Sequence, residues 1–284
     1  MAAPRSLTYW QRKWQRRFGV LSPARTVAEL DAWLQTPLGQ ALLKAEQALL
    51  APALRDLFGY HLLQLSISPS LDLSESSRIG HRFALGPRGL NGQSRLAGQA
   101  DFHALPLPSE SVDLVILHHV LDYSPTPHQL LREAERVLIP HGYLVIIGCN
   151  PYSSLGLGGR IAQLFSRSAQ WRRQSLGPRR MQDWLTLLDL DLVSLERGFY
   201  RPPVNNEKFL NHLQWLDRWG KRLHLPGGGF YQVVARKDVC AMTPLRPAWR
   251  DTRVANGLGA AGPLRSPKAS AANDRYKRKG FEES

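Results

Sequence analysis

The sequence predicts an α/β fold with a doubly wound, mostly parallel sheet. Along the chain, helices precede this sheet and a basic tail follows it. Short apolar runs rich in β-branched residues alternate with amphipathic segments over residues 58–238. Beyond residue 238 the composition changes to Pro, Gly, Ala, Ser and basic residues, which bury too little apolar surface to fold. We expect a helical extension over residues 1–57, an α/β domain over residues 58–238 and a disordered basic tail over residues 239–284.

The length and the cysteine content exclude a small stapled fold. At 284 residues and 43% hydrophobic composition, the chain can bury the core of an ordinary α/β domain. Its two cysteines, Cys149 and Cys240, can form neither a disulfide framework nor a cysteine-based zinc site, so we predict a reducing compartment and no metal site. The N-terminal sequence lacks a signal-peptide core and no later run is long enough to span a membrane, which predicts a cytoplasmic protein.

The charge of the chain is strongly positive. A formal net charge of +14 and a pI near 10.3 indicate a polyanionic partner, either nucleic acid or an anionic surface. One basic segment, Tyr9–Arg17, alternates aromatic and basic residues in the manner of an amphipathic helix. This segment either packs its aromatic face on the main domain or contacts a membrane or RNA.

Further helices precede the first strand. Thr26 and Glu29 have the spacing of a capping box, which predicts that a helix begins at Thr26. Thr36 and Pro37 then predict the start of a longer helix that continues to about Leu57.

The first strands of the predicted domain are short. The segment HLLQLS at residues 61–66 predicts a buried first strand. Weaker patterns predict strands over Ile79–Leu85 and around Arg95–Ala100.

A βαβ unit forms the clearest part of the sequence. Val112–Leu117 and Tyr143–Ile147 are apolar runs typical of strands buried on both faces. Between them Thr126 can cap a helix that starts with Pro127, and Gly142 ends the connection. Because two buried strands joined by such a helix are parallel, we expect a right-handed crossover.

The C-terminal half continues the alternation of helices and strands. Asn150-Pro151-Tyr152 predicts a turn after the strand, and Gly156–Gly159 predicts a glycine-rich loop. The remaining predicted elements are a basic segment to Arg180, a helix over Pro178–Leu188, a strand over Asp191–Tyr200, a helix over Asn205–Arg222 and a last strand over Gly229–Arg236.

One segment resembles a known family. Residues 100–146, ADFHALPLPSESVDLVILHHVLDYSPTPHQLLREAERVLIPHGYLVI, resemble the second half of a class I S-adenosylmethionine-dependent methyltransferase of the type 11 group. The shared order is an acid before Leu-Pro, a Val-Asp-Leu-Val strand, and a helix ending in Arg-Val-Leu-x-Pro-x-Gly. The helical extension and the Asn-Pro-Tyr-Ser segment resemble a bacterial subgroup. The resemblance implies a seven-stranded Rossmann-like sheet, S-adenosylmethionine as the cofactor, and a methyl acceptor.

The resemblance also implies site residues. Asp101 matches the acid that meets the adenine amino group, and Phe102 matches the residue that borders the adenine ring. His118 and His119 follow the fourth strand, where the family places residues that line the methionine end of the cofactor and the acceptor. His118 is therefore a candidate for cofactor binding, and both histidines are candidates for catalysis.

The chain departs from the family pattern after the first strand. The family has an acid and a Gly-x-Gly loop there, whereas this chain has LLQLSIS and no glycine before Gly80. The second strand also lacks the usual acid for the ribose. Either Ser66, Ser68 and the Asp72–Ser77 loop bind the cofactor differently, or cofactor binding is weak or lost.

Two functions follow. The first is methyl transfer, which would rely on proximity and desolvation. The acceptor would lie beneath the N-terminal helices and the Asn150–Arg173 loop. The basic residues of this loop favour an anionic acceptor or nucleic acid. The second is a catalytically inactive methyltransferase-like module that binds RNA or a protein partner.

Overall fold

A computed structural model describes residues 23–68, 71–87, 97–165, 176–223 and 225–238. The predicted basic helix at Tyr9–Arg17 and the basic tail lie outside these residues, as does most of the basic segment before Arg180. None of the described helices combines the length and the apolarity that a membrane span requires.

The described elements alternate in type from the first strand onward. In chain order they are α1 (Pro23–Leu34), α2 (Pro37–Arg55), β1 (His61–Ser66), β2 (His81–Pro87), β3 (Gly98–Ala100), β4 (Val112–His118), α3 (Val120–Tyr123), α4 (Pro127–Val137), β5 (Leu138–Cys149), α5 (Ser154–Phe165), α6 (Pro178–Thr186), β6 (Leu190–Gly198), α7 (Glu207–His212), α8 (Gln214–Arg222) and β7 (Phe230–Lys237).

The seven strands form one sheet in the order β3-β2-β1-β4-β5-β7-β6. The first five strands of this order pair in parallel, and β7 runs antiparallel to both of its neighbours. The strand order reverses between β1 and β4, and ligands of doubly wound sheets bind at the carboxyl ends of the strands beside such a reversal. The predicted fold class and the predicted seven-stranded, Rossmann-like sheet are thereby confirmed.

Side chains alternate between two hydrophobic cores, one on each face of the sheet. Leu63, Val115 and Leu144 point to the face that is covered by α1, α4 and α6. Leu62 and Leu114 point to the opposite face, which is covered mainly by α2. The central strands β1, β4 and β7 are thus buried on both sides, which is why their sequences are mainly apolar.

The start of α2 is fixed by its cap. Thr36 precedes Pro37, and its Oγ1 accepts a hydrogen bond from the Gly39 N–H at 3.2 Å, as the sequence predicted. We expect Thr36→Ala to lower the free energy of unfolding by about 1 kcal/mol, because an N–H of the first turn loses its acceptor. Thr36→Ser, which keeps the oxygen, is the control. Urea denaturation measures both; equal losses for the two variants would contradict this capping role.

Several predicted boundaries were wrong. Helix α1 already begins at Pro23, so the buried Thr26 lies inside it and is not its cap. Strand β5 begins directly after α4 at Leu138, ahead of Gly142, and its register with β4 shifts near this start. The predicted helix over Asn205–Arg222 is two helices, α7 and α8, which meet at Leu213. Thr126 occupies the N-cap position of α4, although its side chain makes no capping hydrogen bond.

The predicted loop at Gly156–Gly159 was also wrong, because these residues lie in α5. Ser153 Oγ accepts a hydrogen bond from the Gly156 N–H at 2.9 Å and so caps the helix. A side chain at Gly156 would place its Cβ 2.4 Å from the carbonyl oxygen of Asn150. The glycine is therefore needed for a close approach of two backbone segments, and it does not indicate a loop.

Candidate functional site

Three strands bring the predicted site residues to one edge of the sheet. Ser66 is the last residue of β1 and pairs with His118, the last residue of β4. Asp101 and Phe102 directly follow β3. Because these strands are parallel, their carboxyl ends share the edge at which this class of sheet binds ligands.

Asp101 is held by a small polar network. Its Oδ1 accepts a hydrogen bond from the His103 backbone N–H at 3.0 Å and lies 3.1 Å from His103 Nδ1. His103 Nε2 lies 3.0 Å from Ser124 Oγ, which links this edge to the segment after α3. The Asp101 side chain is 44% exposed, so a ligand can reach it. Phe102 is 7% exposed and packs into the core beneath.

A second group of polar residues is deeply buried. We call Glu46, His118, His119, Asp122 and Cys149 the histidine cluster. Glu46 Oε2 lies 3.1 Å from His118 Nε2, and Glu46 Oε1 lies 2.9 Å from His119 Nε2. On the other side of its ring, His119 Nδ1 lies 3.0 Å from Asp122 Oδ2 and 3.5 Å from Cys149 Sγ. The side chains of Glu46, His118 and Asp122 are 1% exposed and that of His119 is 11% exposed.

Four elements supply the histidine cluster. Glu46 comes from the face of α2 that is otherwise lined by leucines. His118 ends β4, and His119 follows it with a left-handed backbone, φ 55°, that starts α3. Cys149 ends β5, and its N–H donates to Asp122 Oδ2 at 2.9 Å. The N-terminal helical segment is therefore tied to the centre of the sheet through buried charged groups.

The histidine cluster shifts the pKa values of its members. Burial would raise the pKa of the Glu46 carboxyl, but the charge of His119 and hydrogen bonds from both histidines lower that pKa to about 2. Burial and the neighbouring charge of His119 lower the pKa of His118. For His119 burial acts in the same direction, yet Cys149, Glu46 and Asp122 raise its pKa well above the usual value. The pKa values of the two neighbouring histidines are thus shifted in opposite directions.

Asp122 keeps one oxygen without a hydrogen bond. Its Oδ2 accepts from Cys149 and contacts His119, whereas Oδ1 is buried and has no partner among the described residues. Burial, and to a smaller extent the charge of Asp122, raises the pKa of Tyr231 well above its usual value. A carboxylate oxygen without a hydrogen bond in the interior raises the free energy of the folded state.

The segment after β1 connects with the histidine cluster. Ser66 Oγ lies 3.1 Å from His118 Nδ1 and accepts a hydrogen bond from the Ser68 N–H at 3.1 Å. Ser68 Oγ hydrogen-bonds to Asp31 of α1. Both serines are at most 2% exposed. Their side chains therefore face the protein interior, where the family would have a glycine loop.

Asn150 forms the turn that follows β5, as the sequence predicted. Its Nδ2 donates to the carbonyl oxygens of Pro226 and Gly228, each at 2.8 Å, and its Oδ1 accepts from the Tyr152 N–H at 3.1 Å. The side chain is fully buried. This residue thus joins the end of β5 to the loop before β7.

The sequence predictions and the structure agree only in part on the site. Ser66 and His118 lie together, and Asp101 and Phe102 lie at the same edge of the sheet, directly after β3. Glu46 and Asp122 were not predicted from the sequence. The signal for Glu46 was a single carboxylate within an apolar helical face, flanked by Leu42 and Leu50, since charged residues are almost never fully buried without partners.

Comparison with known proteins defines the family. A family model described as a methyltransferase domain, of type 11, matches residues 50–146. Over 257 residues the chain is 32% identical to the uncharacterized protein YafS of Escherichia coli K12, covering 88% of this chain and all of YafS. The chain belongs to the class I S-adenosylmethionine-dependent methyltransferases.

A solved structure supports the fold of this methyltransferase. An S-adenosylmethionine-dependent methyltransferase of Thermotoga maritima, described as a possible histamine N-methyltransferase, superposes with a TM-score of 0.54. It covers 79% of this chain and 100% of its own, at 15% identity. At this identity the likeness concerns the fold.

The cofactor of the family is S-adenosylmethionine, and one half of the expected site fits it. Asp101 offers an accessible carboxylate after β3, and a carboxylate is a suitable acceptor for an exocyclic amine. The other half departs from the family pattern, because Ser66 and Ser68 have their side chains engaged inside the protein. A contact of Ser66 or His118 with the cofactor remains a prediction.

Proposed function

We propose that this methyltransferase binds S-adenosylmethionine at the carboxyl edge of β1, β3 and β4 and transfers its methyl group to an acceptor held beside α2. The observation that carries the proposal is the position of Asp101. An exposed, oriented carboxylate directly follows β3, in a sheet whose order reverses between β1 and β4. Ligands of such sheets bind outside these strand ends.

The residues of the chain would act by positioning. Asp101 would accept a hydrogen bond from the adenine amino group. His103 and Ser124 would fix the orientation of the Asp101 carboxylate. The bound cofactor would supply an electrophilic methyl group on a sulfonium, so the transfer needs correct alignment more than a strong base. Both ring nitrogens of His119 contact carboxylates, which favours a positioning role over that of a general base.

A groove beside α2 suits an anionic acceptor. It has a volume of about 610 Å³ and lies between α2 and the segment of α7 and α8. Its lining contains four cationic and two acidic side chains: Lys44, Arg201, Arg218, Lys221, Glu207 and Asp217. Arg201 and Asp217 form an ion pair at 2.8 Å and so neutralise each other. The remaining charged groups of the lining are three cations and one acid, so its net charge is positive.

Calorimetric titration with S-adenosylmethionine and with S-adenosylhomocysteine tests this proposal. We expect both ligands to bind, and Asp101→Ala to weaken binding by about 1 to 3 kcal/mol, which is about 5- to 150-fold in Kd, because a hydrogen bond to a carboxylate is lost. Asp191→Ala, the same substitution at an exposed position of β6, is the matched control and should leave the Kd unchanged. Unchanged affinity of the Asp101 variant would refute the adenine contact.

A second function has one observation in its favour. The serines that replace the glycine loop are buried and bonded, which favours an inactive methyltransferase-like module that binds RNA or a protein partner. The same titration separates the two functions, since absence of binding at millimolar ligand would rule out the enzyme. For an RNA contact made through phosphates, the affinity must fall as salt is added.

A further inference from the structure

The side chains of Glu46, His118 and His119 converge on one point. Both imidazole rings aim Nε2 at the Glu46 carboxylate, at 3.1 Å and 2.9 Å, and the three ligand atoms lie within 4.8 Å of one another. Ligand atoms of a tetrahedral zinc ion are separated by about 3.3 Å, since each lies about 2.0 Å from the metal. The two nitrogen–oxygen distances, which join His118 and His119 to different oxygens of the Glu46 carboxylate, are within a few tenths of an ångström of this separation.

The Nδ1 atom of each imidazole ring lies near an oxygen atom, as is usual for histidines that bind a metal through Nε2. His118 Nδ1 lies 3.1 Å from Ser66 Oγ, and His119 Nδ1 lies 3.0 Å from Asp122 Oδ2. Histidines that bind metals through Nε2 almost always donate the other N–H to an oxygen, which fixes the tautomer and the ring orientation. Both rings of the histidine cluster have such an oxygen.

The charge of the histidine cluster also calls for a cation. Glu46 and Asp122 bring two carboxylates into the interior, where their side chains are 1% exposed. Asp122 Oδ1 has no hydrogen-bond partner among the described residues. A divalent ion bound in place of the proton on His119 Nε2 would bring additional positive charge to these two carboxylates, which solvent cannot do at this depth.

We propose that Glu46, His118 and His119 form a binding site for a divalent transition metal ion that fastens α2 to the carboxyl end of β4. Two imidazole nitrogens and a carboxylate oxygen suit Zn²⁺ and its neighbours better than Mg²⁺ or Ca²⁺, which prefer oxygen ligands alone. The alternative set of His119, Asp122 and Cys149 uses the other ring nitrogen of His119. We favour the first set because it uses two histidines and leaves Asp122 to orient His119.

The test is zinc binding to tag-free full-length protein. After incubation with Zn²⁺ and dialysis, elemental analysis should find one zinc per chain, and Glu46→Gln, which keeps the side-chain volume, should weaken binding at least about tenfold. A chelator should lower the Tm of the wild-type protein and leave that of the variant unchanged. Absence of retained zinc in the wild-type protein would overturn the proposal, whatever the behaviour of the variants.

Two further variants locate the ion. His61 and His81 form an exposed pair with their Nδ1 atoms 2.9 Å apart, so the double variant His61→Ala/His81→Ala controls for surface binding and should retain its zinc. Cys149→Ser should also retain zinc, and its Co²⁺ form should show the same spectrum as that of the wild type, without a thiolate charge-transfer band. Loss of zinc from either variant would overturn the assigned ligands. Because the measurement requires no S-adenosylmethionine, its failure would not affect the proposed methyl transfer.

Discussion

Replacing Glu46 by alanine is expected to lower the free energy of unfolding by about 3 to 5 kcal/mol, because the Nε2 atoms of two buried histidines lose their partner in a buried ionic cluster. The Glu46 carboxylate contacts both His118 and His119, and all three side chains are nearly inaccessible to solvent. His119 would keep Asp122 as a partner, whereas His118 would keep only Ser66. Urea denaturation followed by tryptophan fluorescence measures the change.

The matched control for Glu46→Ala is Gln47→Ala, one residue further along α2. Gln47 is exposed, so its removal should change the free energy of unfolding by no more than about 0.5 kcal/mol. Glu46→Gln should fall between the two variants, since it keeps the packing and loses the charge. A loss of less than about 1 kcal/mol for Glu46→Ala would show that the histidine cluster contributes little to stability.

Replacing Asn150 by alanine is expected to cost about 2 to 4 kcal/mol. The carbonyl oxygens of Pro226 and Gly228 and the Tyr152 N–H would all lose the hydrogen bonds that Asn150 makes with them. Each unsatisfied buried group costs about 1 to 3 kcal/mol, and water entering the turn would recover part of this loss. The same urea denaturation measures the effect.

Asn211→Ala is the control for the asparagine variant. Asn211 lies exposed on α7, where its Oδ1 accepts one hydrogen bond from Gln214 at the surface, so its loss should be within about 0.5 kcal/mol. Similar losses for Asn150→Ala and Asn211→Ala would contradict a structural role for the turn after β5.

The strands of the sheet could be predicted because burial on both faces leaves a local signal. The runs at Leu62–Leu65, Val112–Leu117 and Tyr143–Ile147 consist almost entirely of apolar residues, and each lies in the strand that was predicted. The helix cap at Thr36 could be predicted for the same reason, because its signal lies in the adjacent residues Thr36 and Pro37. In contrast, the helical state of Gly156 depends on Ser153 and on a backbone contact with Asn150, which glycine content alone does not reveal.

The histidine cluster could not be predicted because its contacts connect distant parts of the chain. Glu46 and His118 are 72 residues apart, and only the pairing of α2 with the end of β4 brings them together. An acid in an amphipathic helix normally faces solvent, so Glu46 carried little weight without its partners. The adjacent His118 and His119 were predicted as site residues, His118 for cofactor binding and both for catalysis, and not as members of a buried cluster.

The segment after β1, which differs from the family pattern, has a structural role in this chain. Ser66 and Ser68 stand where the family has glycines, and their hydroxyls extend the histidine cluster toward α1. The segment thus serves internal packing in addition to any contact with a ligand. Asp101, by contrast, remains accessible at the edge of the sheet. We therefore assign the main recognition of the cofactor to the adenine side.

Hydrogen–deuterium exchange with and without millimolar S-adenosylmethionine tests the position of the cofactor most directly. We predict slower exchange in peptides that cover residues 101–105 and 118–124, at the carboxyl ends of β3 and β4. Peptides that cover α6 and β6 should exchange at unchanged rates, because β6 lies at the opposite border of the sheet. Unchanged exchange at residues 101–105 in the presence of the ligand would contradict a cofactor site at this edge.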